Sequence, residues 1–327
     1  MTVPLAADHP AAEPPRMRKK FADPEWTRNG ERRASVAPTG LKTLWFNTGT
    51  LCNITCRNCY IESSPRNDRL TYLGREEVRG FLAEAAAAHP ELEEIGFTGG
   101  EPFMNPEFPG MLEDALQGGW RVLVLSNAMR PMQRPRVQAA FSGLNRRFPG
   151  RITVRVSLDH FTAAGHDALR GAGSWQPTLD GLAWLAGNGF ELAVAGRTVW
   201  GESEAALRAG YAALFAQLDL PIEAADPRRL VLFPEMDSGR EVPEITERCW
   251  GILGKRPEAM MCASSRMVVR RKDARRAAVV ACTLLAYDPG FELGPTLADA
   301  ARPVRLNHRF CAEFCVLGGA SCSPHGG

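Results

Sequence analysis

The chain has 327 residues, and 39 Lys and Arg against 37 Asp and Glu leave a formal charge of +2. With 45% hydrophobic and 23% charged residues, it has the balance of a soluble globular protein, long enough for one large domain or a large and a small one. The near-neutral charge excludes a dedicated nucleic-acid binder, and no apolar run approaches the roughly 20 residues that span a bilayer, so neither nucleic acid nor membrane is an expected partner.

Residues 1–40 read as a flexible N-terminal extension. Pro4, Pro10, Pro14, Pro15, Pro24 and Pro38 interrupt a stretch rich in Ala and charge, including Arg16-Met17-Arg18-Lys19-Lys20. Such a segment buries too little apolar surface to offset its ordering entropy, although Phe21 and Trp26 are candidates to pack onto the body. Met1 to Pro15 has no charged start followed by an apolar stretch, so it does not read as a secretory signal. The expected location is the cytoplasm, where thiols stay reduced, and the nine cysteines are accordingly read as metal ligands in preference to disulfides.

From residue 43 short β-rich runs alternate with amphipathic ones. The predicted strands are Thr43–Asn47, Glu94–Thr98, Arg121–Ser126, Ile152–Leu158, Glu191–Thr198 and Leu230–Pro234, several of them nearly continuous apolar runs of the kind covered on both faces in parallel sheets. The predicted helices are Arg75–Ala88, Pro106–Gln117, Arg134–Arg147, Gln176–Asn188 and Glu202–Leu218, with glycines at 118–119 and 187–189 as stops. This alternation predicts an α/β fold, a partial (β/α)6 TIM-like barrel over residues 41–240, two units short of a closed barrel. Over 241–327 the alternation stops, and Cys249, Cys262, Cys282, Cys311, Cys315 and Cys322 gather in a small cysteine-rich α+β module.

Cys52-Asn-Ile-Thr-Cys56-Arg-Asn-Cys59 follows the first long strand directly. It therefore lies at the strand's C-terminal end, where parallel α/β folds bind ligands. Soft thiolates suit iron–sulfur clusters or zinc. A structural zinc site wants a fourth Cys or His nearby, and none follows within about twenty residues. Three ligands on a four-iron cluster leave one iron open for chemistry.

Cys52-x3-Cys56-x2-Cys59 followed by the aromatic Tyr60 resembles the signature of the radical S-adenosylmethionine (radical SAM) superfamily. Thr98-Gly99-Gly100-Glu101-Pro102, at the end of the second long strand, resembles its GGEP motif, and the resemblance covers roughly residues 43–235. It implies a [4Fe–4S] cluster on the three cysteines whose open iron chelates S-adenosylmethionine. Reduction then cleaves the sulfonium to a 5′-deoxyadenosyl radical that takes hydrogen from an unactivated C–H bond. It further implies that Gly99, Gly100 and Glu101 meet the methionine amino group, that Ser126, Asn127, Ser157 and Asp159 contact ribose and carboxylate, and that Arg197 meets the carboxylate. Phe233 or Met236 is a candidate to pack on adenine. The plain alternatives are that Ser126 and Asn127 cap a turn, Asp159 caps a helix and Arg197 is a strand-end charge. No residue is singled out as a general base.

In the C-terminal region two short β-runs joined by a charged turn at Lys272-Asp273 predict a hairpin with Cys262 and Cys282 at its ends, and Cys311-Ala-Glu-Phe-Cys315 follows. This arrangement resembles the twitch module, a shortened SPASM domain. The resemblance implies one auxiliary iron–sulfur cluster, of [4Fe–4S] type, on Cys262, Cys282, Cys311 and Cys315. Cys322 is an alternative to either of the last two, and Cys249 is a ligand or a buried thiol. Six cysteines are too few for two fully protein-ligated cubanes. A zinc ribbon on the same four thiolates stays open, and His308 reads as a surface histidine. The implied activity is oxidative modification of a peptide (crosslinking or maturation). The alternatives are a twitch-type dehydrogenase acting on a small molecule and, in another class, a non-catalytic iron–sulfur protein for electron transfer or regulation. A flavodoxin- or ferredoxin-type electron donor is the expected partner.

Overall fold

Each of the six apolar runs from residue 43 becomes a strand. The computed structural model, which describes residues 19–236 and 239–320, holds strands β1 (Ser35–Val36), β2 (Thr43–Asn47), β3 (Glu94–Thr98), β4 (Arg121–Ser126), β5 (Ile152–Ser157), β6 (Glu191–Arg197), β7 (Leu230–Phe233), β8 (Ser265–Val269), β9 (Ala278–Val280), β10 (Glu292–Gly294) and β11 (Val304–Arg305). Between them lie α1 (Arg75–Ala88), α2 (Phe108–Gln117), α3 (Arg130–Gln133), α4 (Pro135–Arg147), α5 (Ala163–Arg170), α6 (Trp175–Gly187), α7 (Glu204–Gln217), α8 (Cys249–Leu253) and α9 (Met261–Ser264). One nine-stranded sheet runs in the order β10-β9-β8-β2-β3-β4-β5-β6-β7. Its members from β8 through β7 are parallel. This is the α/β, partial TIM-like barrel that the alternation predicts.

The core sits between sheet and helices. Every residue of β2 is buried, and Phe46 stacks on Phe97 at 5.6 Å between ring centroids, with Phe108 edge-on to Phe97 at 5.4 Å. Each such fully buried side chain contributes about 1.5–3 kcal/mol. Besides the four-residue α3, helix α5 is a barrel helix that the sequence pattern does not predict. It has eight residues and buries only His166 and Leu169, too few apolar positions for a periodic signal. Its start is marked instead by Thr162, whose side chain accepts the Gly165 N–H.

The sequence places a second module after residue 240. In the fold its first strand, β8, enters the barrel sheet beside β2, with Thr43 opposite Ser265, so the two regions share one sheet. The predicted hairpin is present as β8 against β9, and Asp273 takes the left-handed conformation in its turn (φ 64°). Arg266 on β8 is buried and donates to the carbonyls of Cys262, Ser265, Ala300 and Arg302.

Of the predicted flexible extension, residues 1–18 lie outside the described residues, and residues 19–40 are tied to the body. Strand β1 pairs with β11. Arg33 is buried and bonds the Asp23 and Trp26 carbonyls at 2.8 and 2.9 Å and the Glu244 carboxylate at 2.6 Å. A segment too polar to fold alone is gathered around one guanidinium, which bonds two of the segment's own carbonyls and one carboxylate of the body. No helix among the described residues is long and apolar enough to cross a membrane.

Candidate active site

Strand β2 ends at Asn47, and the chain turns directly into the loop that carries Cys52, Cys56 and Cys59. Backbone bonds fix this loop along its length. Thr48 N–H donates to Thr98 O at 2.8 Å, Cys52 N–H to Ser64 O at 3.1 Å, and Arg57 N–H to Leu169 O at 2.7 Å. Gly99 and Gly100, expected to make room for a ligand, make room first for this loop. A Cβ on Gly100 would stand 2.2 Å from the Leu51 carbonyl oxygen, and one on Gly99, at φ 142°, would stand 2.5 Å from that of Gly49. Only glycine permits both the approach and the backbone conformation.

The three cysteines share the wall of one cavity of about 170 Å³ at the C-terminal ends of the barrel strands. Gly99 and Gly100 from the end of β3, Ser126 and Asn127 from β4, Ser157 and Asp159 from β5 and Arg197 from β6 line it as well, together with Tyr60 and Phe233. Met236 does not line it. Glu101 does not either. It is buried behind the wall, where its carboxylate accepts Ser126 Oγ–H and Asn127 N–H, both at 2.9 Å, and Phe103 N–H at 3.3 Å. Burial pushes its carboxyl up to about 7 against the pull of those donors. Glu101 thus shapes the β4 end and does not face the cavity. Asn127, so held, turns its amide toward Cys52 Sγ at 3.8 Å and Asn53 Oδ1 at 2.9 Å.

Arg155, Arg170 and Arg197 bring charge to the cavity, and carboxylates hold the last two. Asp159 chelates Arg170 through both oxygens, at 2.8 and 3.1 Å, and its N–H donates to Nδ1 of His166 at 3.3 Å. Burial drives His166 down to about 4, aided by Arg170, so the ring is neutral and able to accept. Asp159, expected as a cofactor contact, is thereby the group that holds Arg170 in the wall. Arg170 was not found by sequence reasoning because α5 was not; the Thr162 cap before an Ala-rich run is the signal that marks it. Arg197 lies 4.5 Å over the Tyr60 ring and bonds the Glu235 carboxylate at 2.6 Å. Glu235, likewise missed, also bonds Asn58 of the cysteine loop. The Tyr60 hydroxyl donates to Pro234 O at 2.8 Å, and its ring meets Phe233 and Phe314 edge-on at 6.1 and 5.7 Å.

The donor set fits an iron–sulfur cluster. Burial pushes the Cys52 thiol up to about 12 and raises that of Cys56, each thiolate being further disfavoured by its neighbours and Cys56 eased by Arg170. A group of cations bound to all three thiolates removes that penalty. Among the described residues no three His, Cys, Asp or Glu side chains are grouped closely enough to hold a single metal ion.

The second cysteine group is assembled differently. Cys262 lies on α9, Cys282 just beyond β9 and Cys311 at the start of the π-helix Cys311–Leu317. Burial is the largest influence on Cys262 and Cys311, and Cys282 acts on both. Cys315 follows in the same π-helix and is half-buried, while Cys322 lies outside the described residues. The Cys249 sulfur accepts the Thr246 N–H at 3.3 Å. His308 faces Phe310 and Phe291.

Comparison with known proteins gives this geometry a family. Residues 46–204 match the model of the radical SAM superfamily. The antilisterial bacteriocin subtilosin biosynthesis protein AlbA of Bacillus subtilis is 29% identical over 146 residues, covering 44% of this chain and 30% of that protein. Mycofactocin maturase MftC of Mycobacterium ulcerans is 30% identical over 139 residues, covering 42% and 35%. The chain thus matches about a third of the length of these curated relatives. Among solved structures, anSMEcpe with bound AdoMet aligns over 80% of this chain and 77% of its own, with a TM-score of 0.58 at 14% identity. Streptococcus suis SuiB bound to S-adenosylmethionine aligns over 78% and 63%, with a TM-score of 0.57 at 9% identity; both likenesses are of fold. Residues 46–204 of the barrel thus match a family whose members work with a [4Fe–4S] cluster and S-adenosylmethionine.

Proposed function

We propose that this chain is a peptide-modifying radical SAM enzyme, with Cys52, Cys56 and Cys59 holding the catalytic cluster and the strand-end wall holding S-adenosylmethionine. The observation that carries the proposal is the convergence of three thiols, the β3–β6 strand ends and two oriented guanidinium groups on one cavity. When bound, the cluster supplies the electron that splits S-adenosylmethionine into methionine and the radical that takes hydrogen from substrate carbon. The chain's own part is placement. Arg170, fixed by Asp159, and Arg197, fixed by Glu235, offer cations to a carboxylate. Ser126 and Asn127, set by Glu101, offer hydroxyl and amide groups. Tyr60, packed on three sides, holds the loop carrying Cys59 against the β7 end.

Cys262, Cys282 and Cys311, with Cys315 as fourth ligand, are proposed to hold an auxiliary cluster able to accept an electron from a modified substrate. The maturation and biosynthesis roles named for the two curated relatives support a peptide substrate. A flavodoxin- or ferredoxin-type protein is the proposed electron donor, in the cytoplasm. The test is anaerobic: load the full chain with iron and sulfide, add S-adenosylmethionine and dithionite, and measure 5′-deoxyadenosine and iron. The expected result is cleavage with about eight irons per chain. No cleavage by the loaded protein would overturn the enzyme reading, and about four irons would remove the auxiliary cluster.

A further inference from the structure

The cavity wall has a portion that the strand ends do not supply and that the cofactor-binding reading leaves unused. It consists of Ile61 and Ser63, just after Cys59 and Tyr60, and Thr283 and Leu284, just after Cys282. Each half therefore follows a candidate cluster ligand, one from the barrel loop and one from the C-terminal region. Where the strand-end wall carries Asp159, Arg170 and Arg197, this portion carries no charge.

Its polar groups are also unlike the rest. Ser63 is 4% and Thr283 7% exposed, and neither hydroxyl has a hydrogen-bond partner among the described residues. By contrast, Ser126 on the strand-end wall bonds Glu101. A buried hydroxyl left unmatched costs on the order of 1–3 kcal/mol, so two in one cavity wall stand out. Both sit on side chains with a single rotatable bond to oxygen, which lets the hydroxyl turn toward whatever fills the cavity. Two neutral hydroxyls between two branched aliphatic side chains match a neutral ligand with both donor and acceptor groups beside apolar surface.

We propose that Ser63 and Thr283, flanked by Ile61 and Leu284, form the substrate subsite of this cavity and bind a backbone amide of an uncharged, apolar stretch of peptide. This rests on the function proposed above and names the residues that select the substrate there. Because the subsite is split between the two cysteine regions, a peptide seated in it touches both.

The test uses the full, iron-loaded chain and a display library of random uncharged peptides, panned with S-adenosylmethionine present. A recovered peptide, fluorescently labelled, is then titrated against wild type, Ser63→Ala and Thr283→Val at matched iron content. Each variant is expected to bind it about 5- to 10-fold more weakly, the loss of one neutral hydrogen bond. The melting temperature of each peptide-free variant is expected to be unchanged or higher, since an unmatched hydroxyl is removed. Equal binding by wild type and both variants, or no peptide enriched over bare support, would overturn the proposal. A lowered melting temperature in both variants would do the same, because the hydroxyls would then serve the fold. If wild type releases no 5′-deoxyadenosine in the same preparation, the enzyme reading fails; if it does and the peptides ignore both substitutions, only the subsite fails.

Discussion

The two cysteine groups of this protein are built in opposite ways, and each has an arginine that acts on its thiols. In the barrel group, three thiols come from eight consecutive residues of a loop, and Arg170 beside them is chelated by Asp159. In the C-terminal group, Cys262, Cys282 and Cys311 come from three separate segments, and the hydrogen bonds of Arg266 go to carbonyl oxygens. The charge of Arg170 is oriented by its carboxylate partner and still eases the Cys56 thiolate. That of Arg266 is solvated by dipoles and stays available to the thiolates of Cys262 and Cys282, the groups that favour its charged form. A loop can thus be altered without disturbing the core, whereas the second group is part of the core it joins.

The largest expected effect breaks the comparison at the loop. Changing Cys52, Cys56 or Cys59 to Ala is expected to lower 5′-deoxyadenosine formation by at least ~1,000-fold, about 4 kcal/mol, while the thermal midpoint of the iron-free chain moves little. A large fall in that midpoint would show that the loop thiols serve packing. Next comes Arg170→Ala, which leaves Asp159 buried without its cation and is expected to cost about 3–5 kcal/mol in denaturant unfolding. A cost near zero would mean that solvent reaches Asp159.

Glu94 provides a control at the opposite end of the barrel, where it lines a cavity with Arg121 and Arg155. Burial pushes its carboxyl up to about 7, so the folded chain holds this proton more tightly than the unfolded chain does. Its favourable contribution is complete below the ordinary carboxylate range and is lost as pH rises through about 7. Glu94→Gln is therefore expected to raise stability at pH 8 by about 2–3 kcal/mol, with less effect at pH 4 and no change in iron content. Unfolding curves at the two pH values decide it. The smallest effect on S-adenosylmethionine cleavage is expected from Cys282→Ala: a change within about tenfold, with roughly half of the iron lost. Cleavage falling to background in that variant would join the two groups into one functional unit.

The same contrast explains what the sequence made legible. The barrel strands were readable because each is a short apolar run covered on both faces, and the cysteine loop because its ligands are adjacent in the chain. Helix α5 was not, since eight residues with two buried positions carry no period, and Arg170 was lost with it. The bond between Asp159 and Arg170 and that between Arg197 and Glu235 depend on strands and loops meeting in space. The same holds for Glu101, whose sequence suggests a ligand contact and whose burial makes it an organiser of Ser126 and Asn127. The entry of β8 into the main sheet was equally hidden, because an isolated hairpin and one docked on a barrel edge read alike.

That docking has a consequence for how the chain is made. Strand β2 has β3 on one side and β8 on the other, and β8 is more than two hundred residues further along the chain. Until Ser265–Val269 has been synthesised, the apolar Thr43–Asn47 presents an open sheet edge, the kind of surface that pairs with a neighbouring nascent chain. The strand that anchors the cysteine loop is thus completed only by a late segment of the chain.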